Sequence, residues 1–295
     1  MLFRSQAKAL CELRQQWRAA GANVEFLIKE ELKAHLQSDR YCGALYCRDG
    51  GTIHPFAYAS ALADEAIKAG AALFEASPAK SIKPDGGKWI VKTPGGEIRA
   101  DCVAICTNAY GGAVWPGLDR AFYRIKMAMI ASDPLSSETL RRLPHRTPFA
   151  DVGSIAIFGG MIDAQSRLVA SVFAGFVRNG DPARLALGFD AQFRKTFPGV
   201  QTPAWTQSWM GDLCVTPDRT PKLLNLAPGV AAAIGYSGAG IALSGALGRT
   251  LFQYLTEPKS CRFPISQLSR APMSSVIPFA LTRIAAPASR MIQQL

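Results

Sequence analysis

The stretch from Val230 to Leu255 constrains the fold of this chain more than any other part of the sequence. An apolar run ends at Ile234, glycines follow at positions 235, 238 and 240, and a helical pattern continues to Leu255. This order predicts a buried strand, a glycine turn and a helix. Glycines let the backbone approach a ligand closely, and the unpaired N–H groups of the first helical turn point at it. Residues 235–241 therefore form a predicted site for an anion or an electron-rich ring.

The helix of this unit carries small residues at a regular interval. Gly240, Ser244 and Gly248 recur at every fourth position, so they share one side of an α-helix. We expect this flat face to lie close to a sheet or to a bound cofactor.

Length and composition limit the classes of protein to which this chain can belong. The 295 residues exceed the usual size of one domain and favour two domains or one large α/β unit. An apolar run long enough to span a membrane is missing, and Met1 to Trp17 lacks the features of a signal peptide, so we expect a cytoplasmic protein. The seven cysteines form no CxxC pair and are predicted to be reduced and mostly buried. His35, His54 and His145 have no ligand spacing, so no metal site is predicted.

The net charge of +11 does not by itself indicate a nucleic-acid partner. The basic residues are spread along the chain without a recognisable nucleic-acid module, so we expect none. The tail at 258–295 is basic, and it could touch an anionic membrane surface. Pro278 and Pro287 interrupt any long amphipathic helix there, which favours packing of the tail across the domain instead.

Hydrophobic patterns along the chain predict an α/β fold. Helices are predicted at 5–20, 30–36, 56–69 and 182–197, and strands at 24–28, 43–47, 72–76, 79–82 and 89–93. The continuous apolar run Cys102 to Cys106 is typical of a strand buried in a parallel sheet. Strands at 123–131, 155–162 and 167–172 are expected to form an antiparallel sheet, followed by a strand at 205–211. The order indicates a parallel α/β layer that is interrupted by an α+β insert.

The glycine turn is not the entry motif of a dinucleotide-binding fold. Leu243 stands where GxGxxG requires its third glycine. Such a fold also expects an acidic residue at the end of the next strand, to hold a ribose. Glu257 lies near the right distance, but it follows a helix and precedes Pro258.

Five pieces of the sequence, in this order, resemble the superfamily of FAD-dependent amine and amino-acid oxidoreductases. That group includes D-amino-acid oxidase, glycine oxidase and sarcosine oxidase, and the nearest branch is gamma-glutamylputrescine oxidoreductase-like. The similarity extends from about Phe3 to Leu255. The pieces are His54-Pro55 after a Gly-Gly turn, a hairpin containing Trp89, Thr107-Asn108-Ala109-Tyr110 after a strand, the stretch Trp209 to Pro221, and GYSGAGIALSGALGR.

The resemblance implies a two-domain organisation. An FAD-binding parallel-sheet domain is expected at 51–115 and 210–257, an antiparallel α+β substrate domain at 1–50 and 116–209, and a C-terminal tail at 258–295. Family members begin with a strand and GxGxxG that hold the FAD pyrophosphate, and the given sequence has neither. We therefore expect an incomplete FAD-binding domain in which the first βαβ unit is missing.

The resemblance also implies the cofactor, the substrate class and the site residues. FAD would take a hydride at flavin N5 from the Cα of an amine or amino acid, leaving an imine that water hydrolyses. Ala239 stands where close relatives often have histidine, which keeps the turn but removes a polar contact. The substrate candidates are His54, Arg167 and Trp209. The cofactor candidates are Gly235, Tyr236, Ser237, Gly238, Ala239, Gly240, Ile241, Thr107 and Asn108.

Each candidate outside the glycine turn has a structural alternative. Thr107 and Asn108 are favoured residues at a helix cap, and His54 is suited to capping the helix that starts at Phe56. Trp209 is of a type often found in a core, and Arg167 is typical of a solvated hairpin.

Two hypotheses of function remain open from the sequence. The chain is a flavin-dependent oxidoreductase impaired by the missing pyrophosphate loop, or it is a non-catalytic remnant or partial subunit. In the second case another polypeptide supplies the missing βαβ unit. That hypothesis predicts an exposed apolar edge or patch, and a strand 102–106 covered on both sides would count against it. Oxygen and a membrane quinone are both open as the final electron acceptor.

Overall fold

The computed structural model of this protein describes residues 7–112, 114–144, 147–151, 158–174 and 180–271. The α-helices in these ranges are α1 (Ala7–Ala19), α2 (Lys29–Leu36), α3 (Pro55–Lys68), α4 (Ser137–Arg141), α5 (Pro182–Thr196) and α6 (Gly240–Thr256). The first seven strands are β1 (Val24–Ile28), β2 (Gly43–Cys47), β3 (Ser81–Asp85), β4 (Lys88–Thr93), β5 (Gly96–Ala100), β6 (Val103–Ile105) and β7 (Tyr123–Pro134). The next seven are β8 (Phe149–Asp151), β9 (Phe158–Ile162), β10 (Arg167–Phe173), β11 (Trp205–Val215), β12 (Lys222–Ala227), β13 (Val230–Ile234) and β14 (Ile265–Gln267).

The described residues form two compact units. Unit 1 contains the residues up to Thr52 and those from Lys126 to Gly211, and unit 2 contains Ile53 to Ile125 and the residues from Asp212 onward. Assigning substrate binding to unit 1 and flavin binding to unit 2 stays a prediction.

Unit 1 is built on a five-stranded sheet with the strand order β11-β7-β10-β9-β8. Strand β10 pairs antiparallel with both β7 and β9, as the sequence predicts, and β9 also pairs antiparallel with the short strand β8. Its core is aromatic: Phe189 packs against Phe158 with ring centroids 4.9 Å apart, and Phe193 lies beside Phe197. The apolar face of α5 therefore covers one side of this sheet. A separate antiparallel pair, β1 and β2, belongs to the same unit.

Unit 2 contains a four-stranded sheet with the order β14-β12-β13-β6. Every residue of β13 is buried, because its side chains alternate between two apolar clusters. Val230, Ala232 and Ile234 belong to one cluster, and Ala231 and Ala233 belong to the other, which also includes Leu251 of α6. Burial on both faces explains the uninterrupted apolar run that the sequence shows. The three-stranded antiparallel sheet β3-β4-β5 completes the unit.

The structure corrects two expectations about the parallel layer. The sheet is mixed: β13 is parallel to β6 and β12 is parallel to β14, but β12 and β13 form an antiparallel pair. The segment 72–76, predicted as a strand, has no strand conformation and all five residues are exposed. A strand needs a hydrogen-bonded neighbour, and the sheets described contain none for this segment.

Two further expectations fall partly outside the described residues. The predicted strand 155–162 is seen from Phe158 onward, and residues 155–157 lie outside the described ranges, as does the tail from residue 272. Among the helices that can be described, none is long and apolar enough to cross a membrane.

Candidate functional site

The glycine turn lies between the buried strand β13 and helix α6. Gly235 and Gly238 both adopt left-handed backbone conformations, with φ of +79° and +101°. Helix α6 begins at Gly240, and its N-cap residue Ala239 has no side-chain acceptor to offer the helix. The first N–H groups of an α-helix have no partner within the helix. The turn therefore presents a helix N-terminus with backbone donors and the positive end of its dipole.

Gly235 is required by sterics as well as by its backbone conformation. A Cβ atom at this position would lie 2.3 Å from Cγ2 of Thr216 and 3.3 Å from its Oγ1. Thr216 is itself buried, and its hydroxyl donates to the carbonyl of Thr220 at 2.6 Å. Gly238, by contrast, has open space where a Cβ would be. The turn is thus packed tightly at its start and open at its middle.

Asn108 joins the end of β6 to the glycine turn. Its side-chain oxygen accepts the backbone N–H of Gly235 at 3.2 Å. The neighbouring Thr107 stands at the N-cap position of a 3₁₀ turn, Asn108–Tyr110, but its side chain makes no cap hydrogen bond. Of the two residues that sequence reasoning selected here, Asn108 is the one whose side chain is bonded to the turn.

Strand β11 is tied to the same two loops. The hydroxyl oxygen of Tyr110 accepts the backbone N–H of Asp212 at 2.7 Å, and the carbonyl of Cys214 accepts the N–H of Ser237 at 3.2 Å. Arg124 lies 3.9 Å from a carboxylate oxygen of Asp212. The end of β11 therefore belongs to the candidate site.

Two titratable side chains near the turn are held in their neutral forms. Burial raises the pKa of the fully buried Cys214 thiol to about 12. Burial also raises the pKa of the half-buried Tyr236, and the neighbouring Cys106 and Cys214 add to this shift. Neither group ionises near neutral pH, so neither brings a negative charge to the turn.

The small-residue stripe of α6 does not face the sheet. Leu247 and Leu251 are the buried residues of this helix, and Leu251 packs into the cluster beneath β13. Gly248 is exposed with no atom within 4 Å of a Cβ placed on it, whereas Gly240 and Ser244 are half-buried. The stripe of small residues therefore lies next to the side of α6 that packs against the sheet, and not on it.

The three substrate candidates are found in different settings. His54 is the N-cap residue of α3, where its Nδ1 accepts the N–H of Ala57 at 3.2 Å. The guanidinium of Arg167 donates to Asp163 at 2.7 Å and to Gln207 at 3.0 Å. Trp209 lies on β11 with about half of its surface exposed. His54 belongs to unit 2, and Arg167 and Trp209 belong to unit 1.

Sequence reasoning missed the residues that support the turn from the side. Thr216, Cys214 and Asp212 all lie in the stretch 209–221, which had been singled out only as a motif. Their roles depend on contacts with residues far away in the chain, and a single sequence carries no signal of such contacts. Clusters of His, Cys, Asp and Glu that could hold a metal ion are absent from the described part of the chain.

Comparisons with known proteins give a consistent result. The model of the family described as "DAO: FAD dependent oxidoreductase" matches residues 1–254. The chain is 28% identical to the probable oxidoreductase OrdL of Haemophilus influenzae, over 77% of this chain and 52% of that protein. It is 27% identical to the gamma-glutamylputrescine oxidoreductase of Escherichia coli, over 85% of this chain and 59% of that protein. The chain thus spans somewhat more than half the length of these curated relatives.

Solved structures show the same relationship. The crystal structure of glycine oxidase from Geobacillus kaustophilus superposes with a TM-score of 0.72 at 26% identity, covering 91% of this chain and 72% of that one. The structure of L-proline dehydrogenase from P. horikoshii has a TM-score of 0.73, and at 17% identity this is a likeness of fold.

Proposed function

This chain belongs to the family of FAD-dependent oxidoreductases, and from that premise we propose that it forms the ring-binding part of a flavin site. The site would oxidise the carbon–nitrogen bond of an amine or an amino acid. The observation that carries this proposal is the glycine turn. It joins a fully buried strand to a helix whose N-terminus has no side-chain cap.

The residues present suit the electron-rich edge of an isoalloxazine ring. The donor set consists of backbone N–H groups at the start of α6, and the N-cap Ala239 has no polar side chain to occupy them. Gly238 leaves open space in front of the turn, so a flat ring can approach the backbone closely. Gly235 to Ile241 would hold the ring edge, with Thr107 and Asn108 beside it.

When bound, FAD supplies the acceptor for a hydride from the carbon next to the substrate nitrogen. The chain's contribution is electrostatic. A helix N-terminus stabilises negative charge placed at it, and preorganised donors do so without the cost of reorganisation. Because Tyr236 and Cys214 keep their protons at neutral pH, they add no competing negative charge. Water completes the reaction by hydrolysing the imine product.

The three substrate candidates are not equivalent. Half of the Trp209 surface is exposed, and an indole face can pack against a substrate. Arg167 is less suited to bind a substrate carboxylate, because Asp163 already neutralises it. For His54 we propose the capping of α3, which uses its Nδ1 as the acceptor.

A titration with FAD tests the proposal. The purified chain should take up FAD with quenching of flavin fluorescence and become yellow. Gly240→Asp should weaken FAD binding at least about tenfold, since a carboxylate would occupy the anion-stabilising end of α6. An acidic residue in the first helical turn favours the helix itself, so folding is preserved.

The matched control is Gly248→Asp, which adds the same charge at an exposed position two turns further along α6. It should bind FAD as the unchanged protein does. A preparation that takes up no FAD would contradict the proposal for this chain.

A second candidate function is that of a partial subunit, which needs another polypeptide for full FAD binding. Two observations favour it. Helix α3 has no buried residue although it carries Phe56, Leu62 and Ile67. Strand β6 stands at the end of its four-stranded sheet, with Ala104 exposed and Val103 half-buried. An apolar helix and an open strand edge are the surfaces that a further strand-and-helix element would cover.

Complementation distinguishes the two functions. The part of the Escherichia coli gamma-glutamylputrescine oxidoreductase that this chain does not match can be added as a separate polypeptide during the FAD titration. Under the second function, FAD binds tightly only with that polypeptide present, and Phe56→Ser together with Leu62→Ser weakens the effect. Tight binding by the chain alone supports the first function and excludes the second.

A further inference from the structure

The loop after β6 continues the pairing of two parallel strands by means of a side chain. The β6–β13 ladder ends with Ile105 opposite Ala232. Asn108 and Gly235 each lie three residues beyond that last pair, and the Asn108 side-chain oxygen accepts the Gly235 N–H at 3.2 Å. The amide side chain therefore stands where the next backbone acceptor of the ladder would be.

The backbone of Asn108 is bent to make this contact. Its φ is +47°, a left-handed conformation that asparagine tolerates better than most residues. Ser237 in the turn and Arg219 in the loop after β11 also have positive φ, at +50° and +60°. Such conformations persist where the surrounding structure over-determines them. Asn108, Arg219 and Ser237 are three of the six such non-glycine residues in the described part of the chain, and they lie in the loops after β6, β11 and β13.

Three hydrogen bonds close a circuit through these loops. The Asn108 side-chain oxygen accepts the N–H of Gly235, and the carbonyl of Cys214 accepts the N–H of Ser237. The Tyr110 hydroxyl oxygen accepts the N–H of Asp212. Each of the three segments is thus bonded to both of the others. Removing the Asn108 bond leaves the other two, but the start of the turn loses the side-chain oxygen that accepts its first N–H.

We infer that Asn108 is a positioning residue, whose side-chain oxygen fixes the glycine turn so that the N–H groups at the start of α6 face the flavin ring. This role rests on the proposed function, but it assigns to Asn108 something other than cofactor contact. The side-chain oxygen accepts the N–H of Gly235, a role in the turn that does not require contact with the cofactor. Asn108 therefore acts on the site through the backbone of the turn.

Hydrogen exchange tests the positioning independently of FAD. In Asn108→Ala the Gly235 amide loses its oxygen acceptor and keeps only the weaker sulfur acceptor of Cys214, so it should exchange at least about tenfold faster. Asn108→Gly should do the same, although it relieves the backbone strain. Asn108→Asp keeps an oxygen at the same place and should restore slow exchange. Asn23→Ala, an exposed asparagine in unit 1, is the control and should leave exchange at Gly235 unchanged.

The visible absorption spectrum of bound FAD gives the second readout, because it responds to the environment of the ring. Asn108→Ala should shift the flavin bands and raise the dissociation constant for FAD about tenfold or more, whereas Asn23→Ala should do neither. Unchanged exchange at Gly235 in Asn108→Ala, or fast exchange in Asn108→Asp, would overturn the inference. If the unchanged protein binds no FAD, the proposed function fails, and the exchange measurement still decides the role of Asn108.

Discussion

Helices α3 and α6 belong to the same unit, and they differ in what lies beneath them. Both follow glycine-containing segments and both are apolar on average. Helix α6 buries Leu247 and Leu251, and it packs on a strand that is buried along its whole length. Helix α3 buries none of its residues, and Phe56 remains 77% exposed. The sequences of the two helices both predict packing against a neighbouring surface. In the structure α6 packs on a buried strand, and α3 does not.

The comparison shows that an apolar helix face indicates a need for a covering surface, but not that the rest of the fold provides one. Most helical stability in proteins comes from packing of the apolar face, so α6 is expected to be held firmly and α3 weakly. An exposed apolar surface of this kind also marks a site of interaction.

The largest effect is expected from Leu251→Ala. Leu251 is fully buried in the cluster beneath β13, and such a truncation costs about 2–5 kcal/mol of unfolding free energy. The matched change on α3 is Leu62→Ala, where half of the side chain is exposed, and it should cost less than about 0.5 kcal/mol. Denaturant unfolding of both variants measures the difference. Equal losses would mean that α3 is anchored as firmly as α6.

The next effect concerns the two glycines of the turn. Gly235→Ala combines a left-handed backbone with a contact of 2.3 Å to Thr216 and should destabilise the protein by about 2–4 kcal/mol. Gly238→Ala meets open space, so only the backbone strain of about 1–2 kcal/mol remains. Thermal and denaturant unfolding rank the two variants. A larger loss for Gly238→Ala would contradict the packing described for the start of the turn.

An effect confined to alkaline pH is expected from Cys214, which lies at the end of β11 beside the glycine turn. Burial raises its pKa from 9.0 to about 12 in the folded protein, so the stability it contributes is complete below pH 9 and is lost as the pH rises toward 12. The unfolding free energy should fall by up to about 1.4 kcal/mol per pH unit in that window.

Cys214→Ala should remove this part of the pH dependence. Burial also raises the pKa of Tyr41 in unit 1 to about 12, and its contribution is present in both proteins. The difference between the two stability curves therefore reports Cys214 together with the part of the Tyr236 pKa shift that Cys214 causes. A difference that does not change between pH 9 and pH 12 would show that the thiol titrates normally.

The smallest effect on stability is expected at the exposed face of α3. Phe56→Ser with Leu62→Ser should change the unfolding free energy by less than about 0.5 kcal/mol per substitution, because neither side chain is buried. The same pair should reduce the binding of a hydrophobic dye to the folded protein. Unchanged dye binding would mean that this face is not the apolar surface exposed in solution.

Much of the local structure could be predicted from the sequence. The helix predicted at 56–69 is found at Pro55–Lys68, and the strand, turn and helix after Val230 lie where the pattern indicates. These elements are specified by neighbouring residues, through periodicity and glycine placement. The segment 72–76 has the composition of a strand and is not one, because strand formation also needs a partner.

The candidate site, too, could be predicted from the sequence only in part. The glycine turn and the residue types after β6 were selected from the sequence, but the partner of each residue was not. Asn108 binds Gly235 across 127 positions of sequence, and Thr216 fills the space in front of Gly235. The Asn108 contact exists because β6 and β13 are adjacent parallel strands, an adjacency that the predicted parallel layer did not specify. The Thr216 contact depends on the loop after β11, which the sequence does not place beside the turn.

Most of the elements, the glycine turn and the likeness to a flavin-dependent family can be predicted from the sequence alone, because these depend on residue type and local spacing. The tertiary structure decided that Leu247 and Leu251, rather than the stripe of small residues, face the sheet. It also decided that Asn108 supports the turn and that α3 is left uncovered. The physical reason is that burial and hydrogen-bond pairing are properties of distant segments brought together, and each can be formed only once its partner is in place.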